Sequence, residues 1–207
     1  MVLLYQRRSD CKAALICFAF LVLSSSVLAV SNPLSELMVA RAGASACSGR
    51  DYDAAHLKTH PAQKTQSVLL SFKYEDGQNF PSVRVMLRQK GHERPFYIVG
   101  NCSWEEHVNR YVKGKRFDAA FKKEAGVDCD AISAPSSAEE SGDFLIDLAP
   151  DGRTLVLYLF DNIATWSGTD QAHDSIALAL DTEDLIFRLE RTHSNACRAM
   201  EQELQTQ

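Results

Sequence analysis

The chain has 207 residues, 45% of them apolar and 24% charged, with a formal charge of −5 and a pI near 5.7. That length suits one sizeable domain, and the apolar share excludes an intrinsically disordered chain. The acidic balance excludes general nucleic-acid binding, which needs a basic surface to displace counterions from phosphates.

The N-terminus reads as an export signal. Arg7, Arg8 and Lys12 precede an apolar run, AALICFAFLVL at 13–23. Val27-Leu28-Ala29 then places modest side chains at the −3 and −1 positions of a signal peptidase site. We expect cleavage after Ala29 and a signal peptide over 1–29. A second small-residue pattern, Ala44-Ser45-Ala46, lies far from the apolar run. The alternative is retention. The stretch 13–30 has 18 residues, the short edge of a membrane span, and an uncleaved segment would anchor the chain. Arg7-Arg8 lacks the apolar pair expected behind a twin-arginine signal, so ordinary secretory export is the reading. Removing 1–29 takes away three basic residues and one acid and leaves the remainder near −7. Residues 30–46, rich in Ser, Ala and Gly, read as a flexible segment, and the folded part is expected to begin at Cys47.

Cys11 and Cys17 leave with the signal peptide. Cys47, Cys102, Cys129 and Cys197 remain, an even number in an exported chain, which reads as two disulfides. A four-thiolate zinc site normally shows C-x-x-C pairs, and none is present. Four cysteines allow three pairings. The nested one joins Cys47 to Cys197 across the whole domain and Cys102 to Cys129 inside it, and we adopt it as the expectation.

Between the outer cysteines, Ser48 and Asp51 have the spacing of a helix cap, and Pro61 stops a short helix at or before His60. Period-two alternation then predicts strands in SVLLSFKY at 67–74 and SVRVMLR at 82–88, with a turn at EDGQN. FYIVG at 96–100 is a third strand. Residues 104–125 place Trp104, Val108, Tyr111, Val112, Phe117, Ala120 and Phe121 at helical spacing, which predicts a helical insertion interrupted at Gly114. SAPSSAEESG at 133–142 reads as a polar loop. DFLIDL at 143–148 and TLVLYLF at 154–160 flank APDGR, whose Pro, Asp and Gly mark a tight turn, so these two strands form a hairpin. TLVLYLF is nearly all apolar and predicts burial on both faces. SIALAL at 175–180 and LIFRLE at 185–190 flank a second turn, DTED. The end is polar with helical propensity. The expected domain is a single mainly β unit over 47–200, an antiparallel barrel or sandwich of about seven to eight strands, followed by a polar tail at 201–207.

The stretches Cys47-SGRDYDAAHLKTHPAQ, GNCSWEE and GDFLIDLAPDGRTLVLYLF resemble a family of exported bacterial proteins without an assigned activity. The resemblance covers most of 47–197. It implies an envelope location and a β-rich fold, and it carries no catalytic residue onto this chain.

Four features are candidate sites. His56 and His60 have the i,i+4 spacing of paired metal ligands, with Asp53 one turn earlier, but the glutamate of H-E-x-x-H is missing. A capped surface helix explains them as well. Arg110, Lys113, Lys115, Arg116, Lys122 and Lys123 stand against the single acid Asp118. They suit an anionic envelope component or an acidic protein, or else a solvated face. Asp147, Asp151 and Asp161 lack the D-x-D-x-D-G pattern of a calcium loop. Asn101-Cys102-Ser103 fits a glycosylation sequon, with a cysteine at its centre. No nucleophile elbow, phosphate loop or dinucleotide fingerprint occurs, and no cofactor is implied. The leading expectation is a non-catalytic periplasmic or secreted binding domain. The rival is a metal-dependent hydrolase using His56 and His60.

Overall fold

Alternation with period two sets the architecture. In β-forming SVLLSFK, Val68, Leu70 and Phe72 share one face and are at most 1% exposed, while Leu69 and Lys73 on the other face are half-buried. The computed structural model describes residues 33–106, 108–111, 120–123, 126–132, 140–160, 163–166, 175–178, 180 and 183–205. In chain order a short helix α1 (Pro33–Leu37) leads to strand β1 (Ser45–Asp51), helix α2 (Ala54–Thr59), and strands β2 (Thr65–Lys73), β3 (Ser82–Gln89) and β4 (Phe96–Glu105). Strands β5 (Val108–Tyr111) and β6 (Ala120–Lys123) follow, then β7 (Gly126–Ile132), β8 (Glu140–Leu148) and β9 (Thr154–Leu159). The described elements close with β10 (Ala164–Trp166), β11 (Ser175–Ala177), β12 (Ile186–Arg191) and helix α3 (Ser194–Gln205).

Eight of these strands form a closed antiparallel barrel in the order β1-β2-β3-β4-β7-β8-β9-β12, with β12 returning to β1. Each pairs with the barrel strand before and after it, an up-and-down meander, and the sandwich alternative falls. β10 and β11 hang on β4, where Trp166 stands opposite Tyr97.

The interior is packed. Val68, Leu70, Val83, Val85, Leu87, Ile98, Val127, Phe144, Ile146, Leu157 and Leu159 have no exposed area at all. A side chain bordering a void large enough for water would keep some. Eight strands enclose just the width that side chains can fill. Each such side chain contributes about 1.5–3 kcal/mol relative to an exposed one. Gly100 on β4 makes room for this packing, because a Cβ there would collide with the Phe144 ring.

Several expectations are corrected. The folded part begins before Cys47: Leu34, Leu37 and Met38 are buried in the barrel core. An amphipathic turn hidden in a small-residue segment is too short to show periodicity. Residues 48–51 belong to β1 and not to a helix, because β1 ladders with β2 along its whole length. α2 starts later, after Asp53.

The helical insertion is also overturned in its described parts. β4 extends to Glu105, and β5 pairs with β6 as a separate two-stranded sheet. Helical spacing and strand alternation coincide over so few apolar positions, and pairing within a hairpin decides between them. Gly114 falls between the two strands and outside the described residues. β9 is buried on one face only: Val156 and Tyr158 are half-buried on its outer side. DTED does not join a hairpin, since β11 pairs with β10 and β12 with β9 and β1. The described part of the polar tail, 201–205, is the end of α3. Segment 1–30, with its signal or anchor reading, lies outside the described residues. Among the described residues no helix is long and apolar enough to cross a membrane.

Candidate functional site

One rim of the barrel carries α2. Asp53 caps it: the His56 amide donates to Asp53 Oδ1 at 2.7 Å. His60 closes it, and its Nδ1–H donates to the His56 carbonyl at 3.0 Å. The two imidazoles stack, with centroids 4.1 Å apart and planes 15° from parallel. His56 Nε2–H donates to Gln63 Oε1 at 3.1 Å, and Gln63 in turn donates to the Thr65 carbonyl at 2.7 Å. Tyr52 lies 4.7 Å from His56, and the Arg50 guanidinium sits 4.9 Å over Tyr52. The rim is therefore a column of Arg50, Tyr52, His56 and His60. Asp53, His56 and His60 are together on one short helix, but stacked rings hold their in-plane lone pairs parallel, aimed at no common point. Among the described residues no group of three or more His, Cys, Asp or Glu side chains is placed to hold a metal.

Two neighbouring carboxylates pin this rim to the barrel. Glu183 Oε2 accepts from the amides of Ala62 and Gln63 at 3.1 and 3.0 Å. Asp184, wholly buried, accepts from Lys64 and Thr65, each at 2.9 Å. Four consecutive backbone donors thus end on two consecutive side chains. Burial pushes the Tyr52 phenol up, Arg50 pulls it back, and Asp184 adds to the rise.

On the outer face, α3 crosses β1 to β3. The Cys47–Cys197 disulfide ties it to β1. Met86, Tyr97 and Met200 make a second small core beneath it. Glu201 accepts from Ser71 Oγ and pairs with Arg84 at 3.1 Å and Lys73 at 3.5 Å. Tyr97 is fully buried. Burial and the Glu203 carboxylate raise its pKa far above the usual phenol range, although Glu203 does not close a well-formed hydrogen bond to the hydroxyl.

Two clefts meet at Gly49, Arg50 and Asp51. One, about 430 Å³, runs beside α3 over Leu69, Met86 and Met200, between Arg88 and Glu203. The other, about 560 Å³, follows the seam of β1 and β12 and is lined by Arg188 and Glu190 as well.

The basic run divides between described and undescribed residues. Arg110 stands opposite Phe121, Lys122 opposite Asn109 and Lys123 opposite Val108 in the β5–β6 ladder. Lys113, Lys115 and Arg116 lie outside the described residues. The Cys102–Cys129 disulfide joins directly opposed positions of β4 and β7 and closes the base of the excursion that holds this run. The disulfides are therefore the nested pair. Asp151 Oδ1 accepts from the Arg153 amide in the β8–β9 turn, Asp147 sits on β8, and Asp161 lies outside the described residues.

No family model, curated protein or solved structure matches the chain.

Sequence reasoning passed over Glu183 and Asp184, which read as turn residues in DTED. It also passed over Arg50 and Arg188, which have no motif around them. Only the closure of the barrel brings these positions to the same seam.

Proposed function

We propose that this chain is an exported, non-catalytic binding domain of the cell envelope, meeting its partner through its outer surface. The packed interior carries the reading. A barrel whose central side chains, from Val68 and Val85 to Phe144 and Leu157, are at zero exposure has its contact surface outside. Two disulfides suit an oxidising compartment. The contact element is the basic run from Arg110 to Lys123, whose described members Arg110, Lys122 and Lys123 stand on the β5–β6 pair, a sheet of its own, in a chain of net charge −5. Its partner is an anionic envelope surface. Long-range attraction to such a surface is worth about 1 kcal/mol per basic residue near it.

The mature protein should bind vesicles containing phosphatidylglycerol and not vesicles of phosphatidylcholine alone. The triple change Arg110→Glu, Lys122→Glu and Lys123→Glu should abolish that difference. Equal binding to both vesicles, or an unaffected triple variant, would overturn the proposal. Stoichiometric zinc in the purified protein, lost on changing His56 and His60 to alanine, would move the reading to the metal-dependent hydrolase.

A further inference from the structure

β7 and β8 stand across the ring from β2, away from the face that α3 crosses. Phe144, Ile146 and Leu148 point from β8 into the core, so Asp143, Leu145 and Asp147 point outward. Leu145 nevertheless has no exposed area, and it belongs to neither core cluster. Leu69, on the outer face beside α3, is only half-buried. An outward leucine loses its last exposure only when something packs on it.

Four aspartates surround Leu145. Asp128 stands opposite it, Asp143 and Asp147 flank it along β8, and Asp130 stands opposite Asp143. Two carboxylates directly opposed across a ladder repel each other. All four residues are half-buried on the outside of the barrel, and none of them is without a partner. Charges drawn partly out of water in this way need cations beside them.

Charge and chain connection select the cover. Glu105 stands opposite Gly126 at the end of the β4–β7 ladder, so the excursion between them leaves and re-enters the barrel beside β7. It re-enters at Leu145: a Cβ on Gly126 would lie 3.2 Å from Leu145 Cδ1. Residues 107–125 carry six lysines and arginines against two acids, Asp118 and Glu124, with Tyr111, Phe117 and Phe121 among them. The stretches 133–139, 161–162, 167–174 and 181–182 carry no lysine or arginine at all. The β5–β6 pair also needs a support, because a lone two-stranded sheet is marginal in water.

We propose that the excursion between Glu105 and Gly126 folds back over the outer face of β7 and β8, with its basic side chains among Asp128, Asp130, Asp143 and Asp147 and an aromatic side chain on Leu145. An apolar centre ringed by acids is the complement of aromatic residues ringed by bases. The inference goes beyond the envelope reading, since the aspartate face and an anionic surface then compete for one basic run.

The test is zero-length cross-linking of the mature protein with a carbodiimide, which joins an amine to a carboxylate in contact with it. No vesicle is present, so the outcome is separate from that of the envelope reading. Peptide mapping should recover Lys113, Lys115, Lys122 or Lys123 joined to Asp143 or Asp147. The double change Asp143→Asn and Asp147→Asn keeps shape and removes charge. It should speed amide exchange in β5 and β6 by about tenfold or more while the barrel amides stay protected. Should that variant fail to fold, about 1 M salt on the unaltered protein should lower the cross-link yield in the same sense. Cross-links from Asp143 and Asp147 only to residues outside 107–125, or none at all, would overturn the proposal. So would exchange in β5 and β6 that is already fast in the unaltered protein, or that the double change leaves as it was.

Discussion

β1 has two unlike edges. Toward β2 it pairs at seven successive positions, Ser45 to Asp51, and toward β12 at two. The first joins strands close in sequence, the second residues from opposite ends of the domain. Closing the ring therefore carries the largest loop-closure cost exactly where the ladder is shortest, though that cost grows only slowly with length. Other contacts make up the difference at that seam: the Cys47–Cys197 bond, the Asp184 pin on the start of β2, and Tyr52 against Phe187 at 6.4 Å. A meander barrel can thus be held shut by what lies around its last seam more than by the seam's own hydrogen bonds.

The strongest way to break this comparison is to cut the staple. Loss of a bond spanning 150 residues should cost about 5 kcal/mol in the loop-closure model. Cys47→Ser and Cys197→Ser should each approach that loss in denaturant unfolding, and the double variant should be no worse. A loss under about 1 kcal/mol would mean that the ladder closes the barrel alone. Next comes Asp184→Ala, which strands two amides that now bond a buried carboxylate. We expect about 3 kcal/mol, read from the same unfolding curves, and no effect would remove the pin from the account.

Gly152→Val serves as a comparison in the β8–β9 turn, whose Arg153 carbonyl accepts from the Arg191 amide. Gly152 has φ +62° in the β8–β9 turn, and a Cβ there would lie 2.8 Å from the Glu36 carbonyl carbon. A cost of about 2 kcal/mol in thermal unfolding is expected, and a loss equal to that of the staple would end the claim that the seam is the weak point. The smallest effect belongs to the rim. Changing His56 and His60 together to alanine leaves Gln63 Oε1 without its donor and should cost about 1 kcal/mol, with metal content unchanged.

The sheet was legible where alternation is clean. Val68-Leu70-Phe72, Val83-Val85-Leu87 and the hairpin around Gly152 announce both their strands and their buried faces. β7 was not, because Val127, Cys129 and Ala131 alternate with two aspartates in too short and too small an apolar pattern. α1 was missed for the same reason. The helical reading of 104–125 failed in its described parts because a few aromatic residues satisfy both periods. Of the candidate site, the stop before Pro61 left a local mark that was read, whereas the cap was placed at Ser48, ahead of Asp53, because Ser48 and Asp51 have capping spacing too. The stack of Arg50 on Tyr52 and of Tyr52 on His56 could not be read, since it depends on β1 running straight into the rim. The seam left no local mark at all: a missing ladder is a property of two strands some 140 residues apart.

The nested disulfides also impose an order in time. Cys102 and Cys129 are 27 residues apart on strands that meet as neighbours in the meander, so they can find each other once β4 and β7 have paired. Cys47 and Cys197 are 150 residues apart, on β1 and α3, and their native contact needs β12 to have returned to β1. Oxidation of the inner pair marks the middle of assembly, and oxidation of the outer pair marks its end.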